Sequence, residues 1–594
     1  AHADAEACTR RALQLSPGHL DALTMLGLAL QGQSKHVEAV DVWSEVTRRD
    51  PQRLLAWANF GTVLRTQRRF DEALVAYARA AALGANSPDF LYNVGLLHQE
   101  RGDYEHALRL LSEAHAAAPL DAQIALQFAQ CNYELLQTED ALAAIRDWTR
   151  FERLDDSTLA DLVLLLLNLG EGAEAKEALH RLLRAPQPSP HALLRLAQYM
   201  ERSNRVEEAR DGLLALQGDA RSADLGEELS LLEAQLAQRA RRHEEAARTF
   251  GKLAEQCREP ERRHLYLYPL AKSFDALGRY EEAFQTLQQA HLAQLEHLHR
   301  IHPETAGLDE PPMLITRRSV AADDVANWKH TGAPDVATSP VFIVAFPRSG
   351  TTLLEQALDA HPQLVTMDEQ PFLQGCIDDL VDAGADYPQG LAALPPTKLA
   401  EIRARYFRQV ARKVQIGPGQ RLLDKNPLNL LRLPAIRRLF PASPVLLAIR
   451  HPADVVLSCY QQHFRAPEFA LMCRDLPTLA RSFRRAFDYW YSQSALLSGP
   501  VHELRYEDLV RDFEPGMREI AAFLQLPWDD AMLEPAAQAR RRGYISTPSY
   551  SQVVEPVHTK SVGRWRNYAA HFEGARAELA GHAARWGYDF GNSR

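Results

Sequence analysis

Seven consecutive residues, Phe346-Pro347-Arg348-Ser349-Gly350-Thr351-Thr352, have the composition of a site for a phosphate or sulfate ester. Gly350 lets the backbone come close to an anion. Arg348 adds charge, and Ser349, Thr351 and Thr352 add hydroxyl donors. The flanking residues suit that use. Val341-Phe342-Ile343-Val344-Ala345 is a continuous β-favouring apolar run, as expected of a buried parallel strand. Leu353-Leu354-Glu355-Gln356-Ala357-Leu358 reads as a helix. Strand, tight polar loop and helix aim backbone N–H groups and the positive end of a helix dipole at an anion. The GxxxxGK[ST] pattern of nucleoside triphosphatases is absent, so its lysine and its magnesium-binding hydroxyl are not in place.

Other stretches offer matching chemistry. Asp368-Glu369 lies a short loop beyond the helix, where a carboxylate can take the proton of an acceptor hydroxyl. Val445-Leu446-Leu447-Ala448-Ile449 is a second buried-strand run, followed by Arg450 and, eight residues on, Ser458. Arg450 supplies a planar fork for phosphate oxygens and Ser458 a hydroxyl.

The loop pattern PRSGTT resembles the 5'-phosphosulfate loop of sulfotransferases that use 3'-phosphoadenylyl sulfate (PAPS). Leu358-Asp359-Ala360-His361-Pro362 with Asp368-Glu369 is similar to the corresponding segments of tyrosylprotein sulfotransferases. The resemblance keeps its order from Pro340 to Tyr588 and implies a three-layer α/β domain with a parallel sheet. It implies Glu369 as catalytic base and Lys425, in Leu422-Leu423-Asp424-Lys425-Asn426-Pro427, on the bridging oxygen, with Arg348 sharing the developing charge. It further implies Arg450 and Ser458 on the 3'-phosphate and Tyr506, in Arg505-Tyr506-Glu507-Asp508-Leu509, as a nucleotide contact. Ser549, Ser551 and Gln552 fall in the family's final nucleotide-binding segment, and Arg564 stands where a lysine is usual. PAP would be the product, and no metal is expected. Many cytosolic sulfotransferases use a histidine base, which makes His361 and His463 the alternatives to Glu369. The arginines with which tyrosylprotein sulfotransferases read acidic peptides are missing from Gln370-Pro371-Phe372-Leu373-Gln374-Gly375, which argues against acidic tyrosine peptides as acceptors. The cysteine pair of the secreted members is replaced by Thr366 and Leu423.

The elements before this domain repeat. A small residue recurs every 34 positions at Ala5, Ala39, Ala73, Ala107, Ala141, Ala175 and Ala209, and then at a spacing of 37 at Ala246 and Ala283. Gly27, Gly61 and Gly95 form a second series continued by Ala129; Pro17, Pro51 and Pro119 form a third. Small residues let antiparallel helices approach, and proline stops the second helix of a pair. The pattern resembles the tetratricopeptide repeat (TPR), most closely over Asp21–Ile145. Its phase puts Ala5 in a second helix, so the chain opens midway through a repeat. The sequence therefore predicts an α-helical TPR solenoid over residues 1–298, a Pro/Gly-interrupted linker over 299–339 and a sulfotransferase domain over 340–594.

The length of 594 residues requires more than one core. A net charge of −10 argues against a nucleic-acid partner, and no apolar run is long enough for a membrane span. The six cysteines are scattered, without metal-ligand spacing, which suits a reducing, cytoplasmic compartment. The expected acceptor is a polypeptide or other large hydroxyl compound, recruited through the TPR groove; dimerisation is the other use of such an array. Three competing readings remain at this point. They are a nucleotide kinase, a TPR scaffold with a degenerate nucleotide-binding domain, and a sulfotransferase acting on a glycan, lipid or small molecule.

Overall fold

The computed structural model describes residues 2–152, 154–184, 187–259, 262–308, 318–328, 332–542 and 556–590. They form two compact units: Ala1–Arg195 with His299–Glu304, and Leu196–Leu298 with Thr305–Arg594.

The first unit is built of antiparallel helix pairs, among them Leu20–Gln31 with His36–Arg49, Leu54–Thr66 with Phe70–Ala82, and Pro88–Glu100 with Tyr104–Ala117. The small residues sit where two helices touch. A Cβ added at Gly27 would stand 2.6 Å from the Trp43 ring, at Gly61 2.6 Å from Tyr77, and at Gly95 2.8 Å from Leu111. Ala39, Ala73, Ala107, Ala141 and Ala175 are completely buried. The sequence rule has a simple spatial form. Twelve residues after the small residue of the first helix comes a buried alanine, and sixteen after it a large side chain that fills the gap.

The same offsets hold in the second unit, in Ala234, Ala246 and Phe250 and again in Ala271, Ala283 and Leu287, all buried. The change of period from 34 to 37 therefore lies between pairs. The connection from His36–Arg49 to Leu54–Thr66 is residues 50–53, whereas the connection from His243–Gln256 to His264–Ala276 is residues 257–263.

The second unit also holds a five-stranded sheet, all parallel, in the order β2-β3-β1-β4-β5. The strands are β1 (Val341–Ala345), β2 (Leu364–Thr366), β3 (Arg421–Lys425), β4 (Val445–Ile449) and β5 (Val501–Arg505). Every residue of β1 and β4 is buried because both sheet faces are covered. Phe342 and Val344 of β1, with Val445, Leu447 and Ile449 of β4, face one cluster. Val341, Ile343, Ala345, Leu446 and Ala448 face the other, with Leu354 and Leu358 of the helix Thr351–Asp359.

The first of those clusters is continuous from the repeat helices (Phe250, Ala271, Leu287) to the sheet and on to the C-terminal Trp586 and Phe590. The compact units consequently part at Arg195–Leu196, inside the repeat array, whereas the sequence pattern breaks at 299–339. Periodicity marks where repeats stop; it carries no information about which repeats share a core with the next fold. Part of the expected linker belongs to that core as well, since Val320 and Trp328 are buried in it. Among the described residues, no helix is long and apolar enough to cross a membrane.

Candidate active site

Each strand delivers one of the expected groups at or just beyond its carboxyl end. Arg348 follows β1, Glu369 follows β2, Lys425 closes β3, Arg450 follows β4 and Tyr506 follows β5. The chain leaves β1 for β2 on one side of the sheet and leaves β4 for β5 on the other. The crevice thus lies at the switch point where parallel sheets place their ligands. A cavity of 450 Å³ opens there.

The loop after β1 is a tight turn with positive φ at Arg348 (69°) and Gly350 (91°). Gly350 caps the helix Thr351–Asp359 and faces the Tyr506 ring, where a Cβ would stand 2.3 Å from a ring carbon. Any other residue would be strained in φ and would displace Tyr506. Gly350, Thr351 and Thr352 line the cavity with Arg348, Arg450 and Tyr506. Ser349 does not; its hydroxyl donates to the Phe346 carbonyl at 2.7 Å and braces the turn.

Lys425 is wholly buried, and its ammonium lies 2.6 Å from Glu369 Oε1 and 3.1 Å from Glu355 Oε2. Burial alone would lower its pKa, but the facing carboxylates of Glu355 and Glu369 outweigh it and raise the pKa. The two carboxylates differ in kind. Glu355 is completely buried and accepts from the Thr366 hydroxyl at 2.5 Å, so it is a fixed counter-charge. Glu369 keeps 39% of its side chain exposed and borders the cavity, so it can reach a second molecule. Glu355 is a residue that the reading of motifs passed over. Its signal was a carboxylate within the apolar face of a short helix, which needs a buried cation to be tolerated.

Arg450 is nearly buried. It donates to the Arg348 carbonyl at 3.0 Å and to the Ser561 carbonyl, and its guanidinium lies 4.9 Å from the Tyr506 ring centre. Its Nε is buried and has no hydrogen-bond partner among the described residues. The Arg348 guanidinium donates to Ser458 Oγ at 3.2 Å. Burial lowers the pKa of Arg348, and Arg450 adds to the effect. Two desolvated guanidinium groups side by side are unfavourable until an anion joins them.

Arg564 is placed elsewhere. Asp454 accepts the backbone N–H groups of Gly563 and Trp565, and the Arg564 side chain pairs with Asp275 on the repeat helix His264–Ala276. It does not line the cavity. Ser549, Ser551 and Gln552 lie outside the described residues.

The histidine alternatives are occupied. His361 is buried, donates from Nε2 to the Pro527 carbonyl at 2.9 Å and accepts the Gln363 N–H at 3.1 Å. His463 packs between His264 and Tyr268, and burial lowers its pKa well below the ordinary value, with the neighbouring histidines and Arg465 adding to the effect. Neither lines the cavity.

Part of the cavity lining is apolar, from Pro371, Pro427, Leu428, Phe464, Ala466 and Phe469. The segment carrying Phe464 is held by a repeat helix, Tyr280–Ile301: His291 Nε2 donates to the Tyr460 carbonyl at 2.8 Å and Gln294 Nε2 to the Phe464 carbonyl at 2.6 Å. One metal-compatible group exists among the described residues, and it contains no cysteine. His98, Asp103 and His106 meet in the first unit. Asp103 there caps the helix Tyr104–Ala117 and accepts from both imidazoles, a sufficient reason for the cluster.

Comparison with known proteins bears on the two kinds of domain. Residues 340–530 match the sulfotransferase family model. Residues 24–89 and 160–224 match a tetratricopeptide repeat model, and residues 66–147 that of anaphase-promoting complex, cyclosome, subunit 3. An uncharacterized protein of Aquifex aeolicus is 28% identical over 312 residues, 51% of this chain and 39% of that protein, so the match spans well under half the relative's length. Protein-tyrosine sulfotransferase 1 of Danio rerio is 27% identical over 267 residues, 42% of this chain and 72% of that protein. Among solved structures, the sulfotransferase domain of the Synechococcus PCC 7002 olefin synthase is similar at 23% identity and a TM-score of 0.32, over 44% of this chain and 99% of that one.

Proposed function

This chain joins tetratricopeptide repeats to a sulfotransferase-family domain homologous to protein-tyrosine sulfotransferases, and from that premise we propose that it transfers the sulfuryl group of PAPS to an acceptor hydroxyl. The observation that carries the reading is Glu369, which lines a cavity together with Arg348, Gly350, Thr351 and Thr352 and is paired with the buried Lys425 behind it. The residues present fit the donor: Gly350 lets the Tyr506 ring pack directly on the loop, and the buried Arg450 Nε has a proton to give. Gly350, Thr351 and Thr352 would hold the 5'-phosphosulfate, Arg450 and Ser458 the 3'-phosphate, and Tyr506 the nucleoside. When bound, PAPS supplies a sulfur that leaves its phosphate oxygen as the bond to the acceptor oxygen forms.

The chain's own groups handle the proton and the charge. Glu369 accepts the acceptor's hydroxyl proton. Lys425, held by Glu355, and Arg348 stabilise the negative charge that grows on the departing phosphate. The apolar wall admits the body of the acceptor, and the repeats serve to recruit a polypeptide or other large molecule. Homodimerisation and residence in a reducing, cytoplasmic compartment belong to the same reading. So does a division of labour between residues 1–298, a joint at 299–339 and a catalytic region at 340–594.

Calorimetry with 3',5'-phosphorylated adenosine (PAP), AMP and ATP tests the donor. PAP should bind far more tightly than either, since Arg450 and Ser458 have no partner in a nucleotide without a 3'-phosphate. Equal affinity for AMP would overturn the assignment. Chelation should leave sulfuryl transfer intact, whereas a kinase would lose its activity.

A further inference from the structure

The loops beyond the strands do not line the cavity alone. Pro556, Val557, His558 and Ser561 border it as well. Residues 556–563 belong to no helix or strand, so this segment takes its position from the side chains it touches. The Ser561 carbonyl accepts from Arg450. Asp454, buried on the helix Pro452–Tyr460, accepts the Gly563 N–H at 2.6 Å and the Trp565 N–H at 2.9 Å. These bonds clamp the backbone on either side of Arg564. The Arg564 side chain pairs with Asp275 on the repeat helix His264–Ala276.

Asp275 gathers more than one partner. It accepts from the Tyr568 hydroxyl at 2.7 Å and from Gln461 Nε2 at 3.2 Å, and Gln461 also donates to the Tyr568 hydroxyl at 3.3 Å. Gln461 caps the end of the helix that carries Ser458. A single carboxylate of the repeats thus ties the C-terminal segment to the Ser458 helix. Its side chain is only 12% exposed, so removing one member of the pair strands the other charge in a largely dry place. Arg450 links this anchor to the cavity, because it donates to the Arg348 carbonyl and to the Ser561 carbonyl. A shifted Ser561 leaves that guanidinium with one fewer bond to orient it.

We infer that Asp275, a residue of the helical repeats, is a positioning residue of the donor site. By holding Arg564 it fixes the segment 556–565, and with it the Ser561 carbonyl and Arg450, for the donor's 3'-phosphate. The inference rests on the PAPS reading above. It gives Arg564 a part in donor binding without contact with the donor, as the latch between the C-terminal segment and the repeats.

The experiment is calorimetric titration of the full chain with PAP, in wild type, Asp275→Asn, Arg564→Met, Arg564→Lys and the double variant Asp275→Asn/Arg564→Met. Asp275→Asn and Arg564→Met should each bind PAP about 10-fold more weakly, and the double variant no more weakly than either, because all three break one tie. Arg564→Lys keeps the charge and should recover most of the loss. Hydrogen exchange of the unliganded variants should rise at 556–568 while β1 and β4 stay protected, which a general loss of stability does not produce. A direct contact of Arg564 with the donor gives a different pattern, in which Arg564→Met weakens PAP and Asp275→Asn does not. That pattern overturns the inference, and so do additive losses in the double variant or exchange that rises equally throughout the unit. If the wild type does not prefer PAP to AMP, the donor reading fails, and the exchange pattern alone decides whether Asp275 holds the segment.

Discussion

In the first unit, a repeat helix buries its small-residue face against its partner, and what it cannot bury there goes to the next pair. The cluster that includes Leu23, Trp43, Ala73, Tyr77 and Leu97 consists of repeat residues throughout. In the second unit, the same pairing rule is kept at Ala234, Ala246 and Phe250, but the remaining faces find a sheet. Phe284 stacks on Tyr460, His291 and Gln294 hold the backbone at Tyr460 and Phe464, and Asp275 collects Gln461, Arg564 and Tyr568. Identical local sequence logic thus yields a core made of repeat residues in one region and a core shared with the sheet domain in the other. The difference lies in the residues that the repeat pattern leaves unspecified: aromatic and polar groups on the outward face, where the first unit exposes Val37, Leu55 and Val75.

The sharpest test of that contrast is where the chain can be cut. A chain beginning at His302 keeps every catalytic residue proposed above but loses Phe250, Ala271, Phe284 and Leu287 from the core shared with the sheet. It should fail to fold into a PAP-binding species, because it removes several fully buried side chains at about 2–5 kcal/mol each. Near-UV circular dichroism and PAP calorimetry read the outcome. A well-folded fragment that binds PAP with wild-type affinity would break the comparison.

Within the second unit, the largest kinetic effect belongs to Glu369. Glu369→Gln keeps the shape and a partner for Lys425 while removing basicity. Turnover should fall by roughly 10²–10⁴ with PAP affinity preserved. Near-normal turnover would remove Glu369 from its role, and with His361 hydrogen-bonded and His463 packed between His264 and Tyr268, both off the cavity lining, another base would have to be sought.

Much of this site was legible before the structure because it consists of short contiguous motifs. Arg348, Thr351, Thr352, Arg450 and Tyr506 come together as expected, each just past a strand. What could not be read depends on contacts distant in sequence. Ser349 has the right chemistry, but the turn claims its hydroxyl. Arg564 has the right charge, but Asp275, 289 residues earlier, holds it away from the cavity. Glu355 was hidden because only a buried lysine 70 residues later makes sense of it. The repeat helices behaved in the same way: their periodicity identified the fold of every pair and was silent on the faces turned toward the sheet.

Acidity should separate the two regions more gently. His291 is buried between Tyr268 and the Tyr460 carbonyl, and burial lowers its pKa to about 4. The unfolded chain takes up a proton at this histidine near its ordinary value of about 6.5, and the folded chain only near 4. The folded state therefore loses stability as pH falls through that window, by on the order of 3 kcal/mol in total, and regains it above about 6.5. Hydrogen exchange at pH 7 and pH 5 should show the loss around residues 280–298 and 460–464. His291→Gln, which cannot be protonated there, should flatten the dependence. An acid response of equal size in the variant would assign it to other groups.

The smallest effect discriminates best, because one substitution is made at equivalent positions. Ala73 and Ala283 are both completely buried at the helix–helix contact of a pair. Leucine at either position overpacks that contact and should cost about 1–3 kcal/mol. At Ala73 the strain is taken up among repeat helices alone, so hydrogen exchange should rise near residues 54–82 while PAP affinity stays at the wild-type value. At Ala283 the strained helix is the one that carries Phe284, His291 and Gln294, and these hold Tyr460 and Phe464 beside the cavity. PAP affinity should then weaken several-fold at similar global cost, and the apolar lining at Phe464 should be disturbed as well. If Ala73→Leu weakens PAP as much as Ala283→Leu does, the repeats act as one body and the contrast between the two sets of repeat helices is lost. If neither variant moves PAP affinity while both destabilise their own helices, the repeat helices of the second unit support the fold without positioning the site, and the contacts at Tyr460 and Phe464 are packing alone.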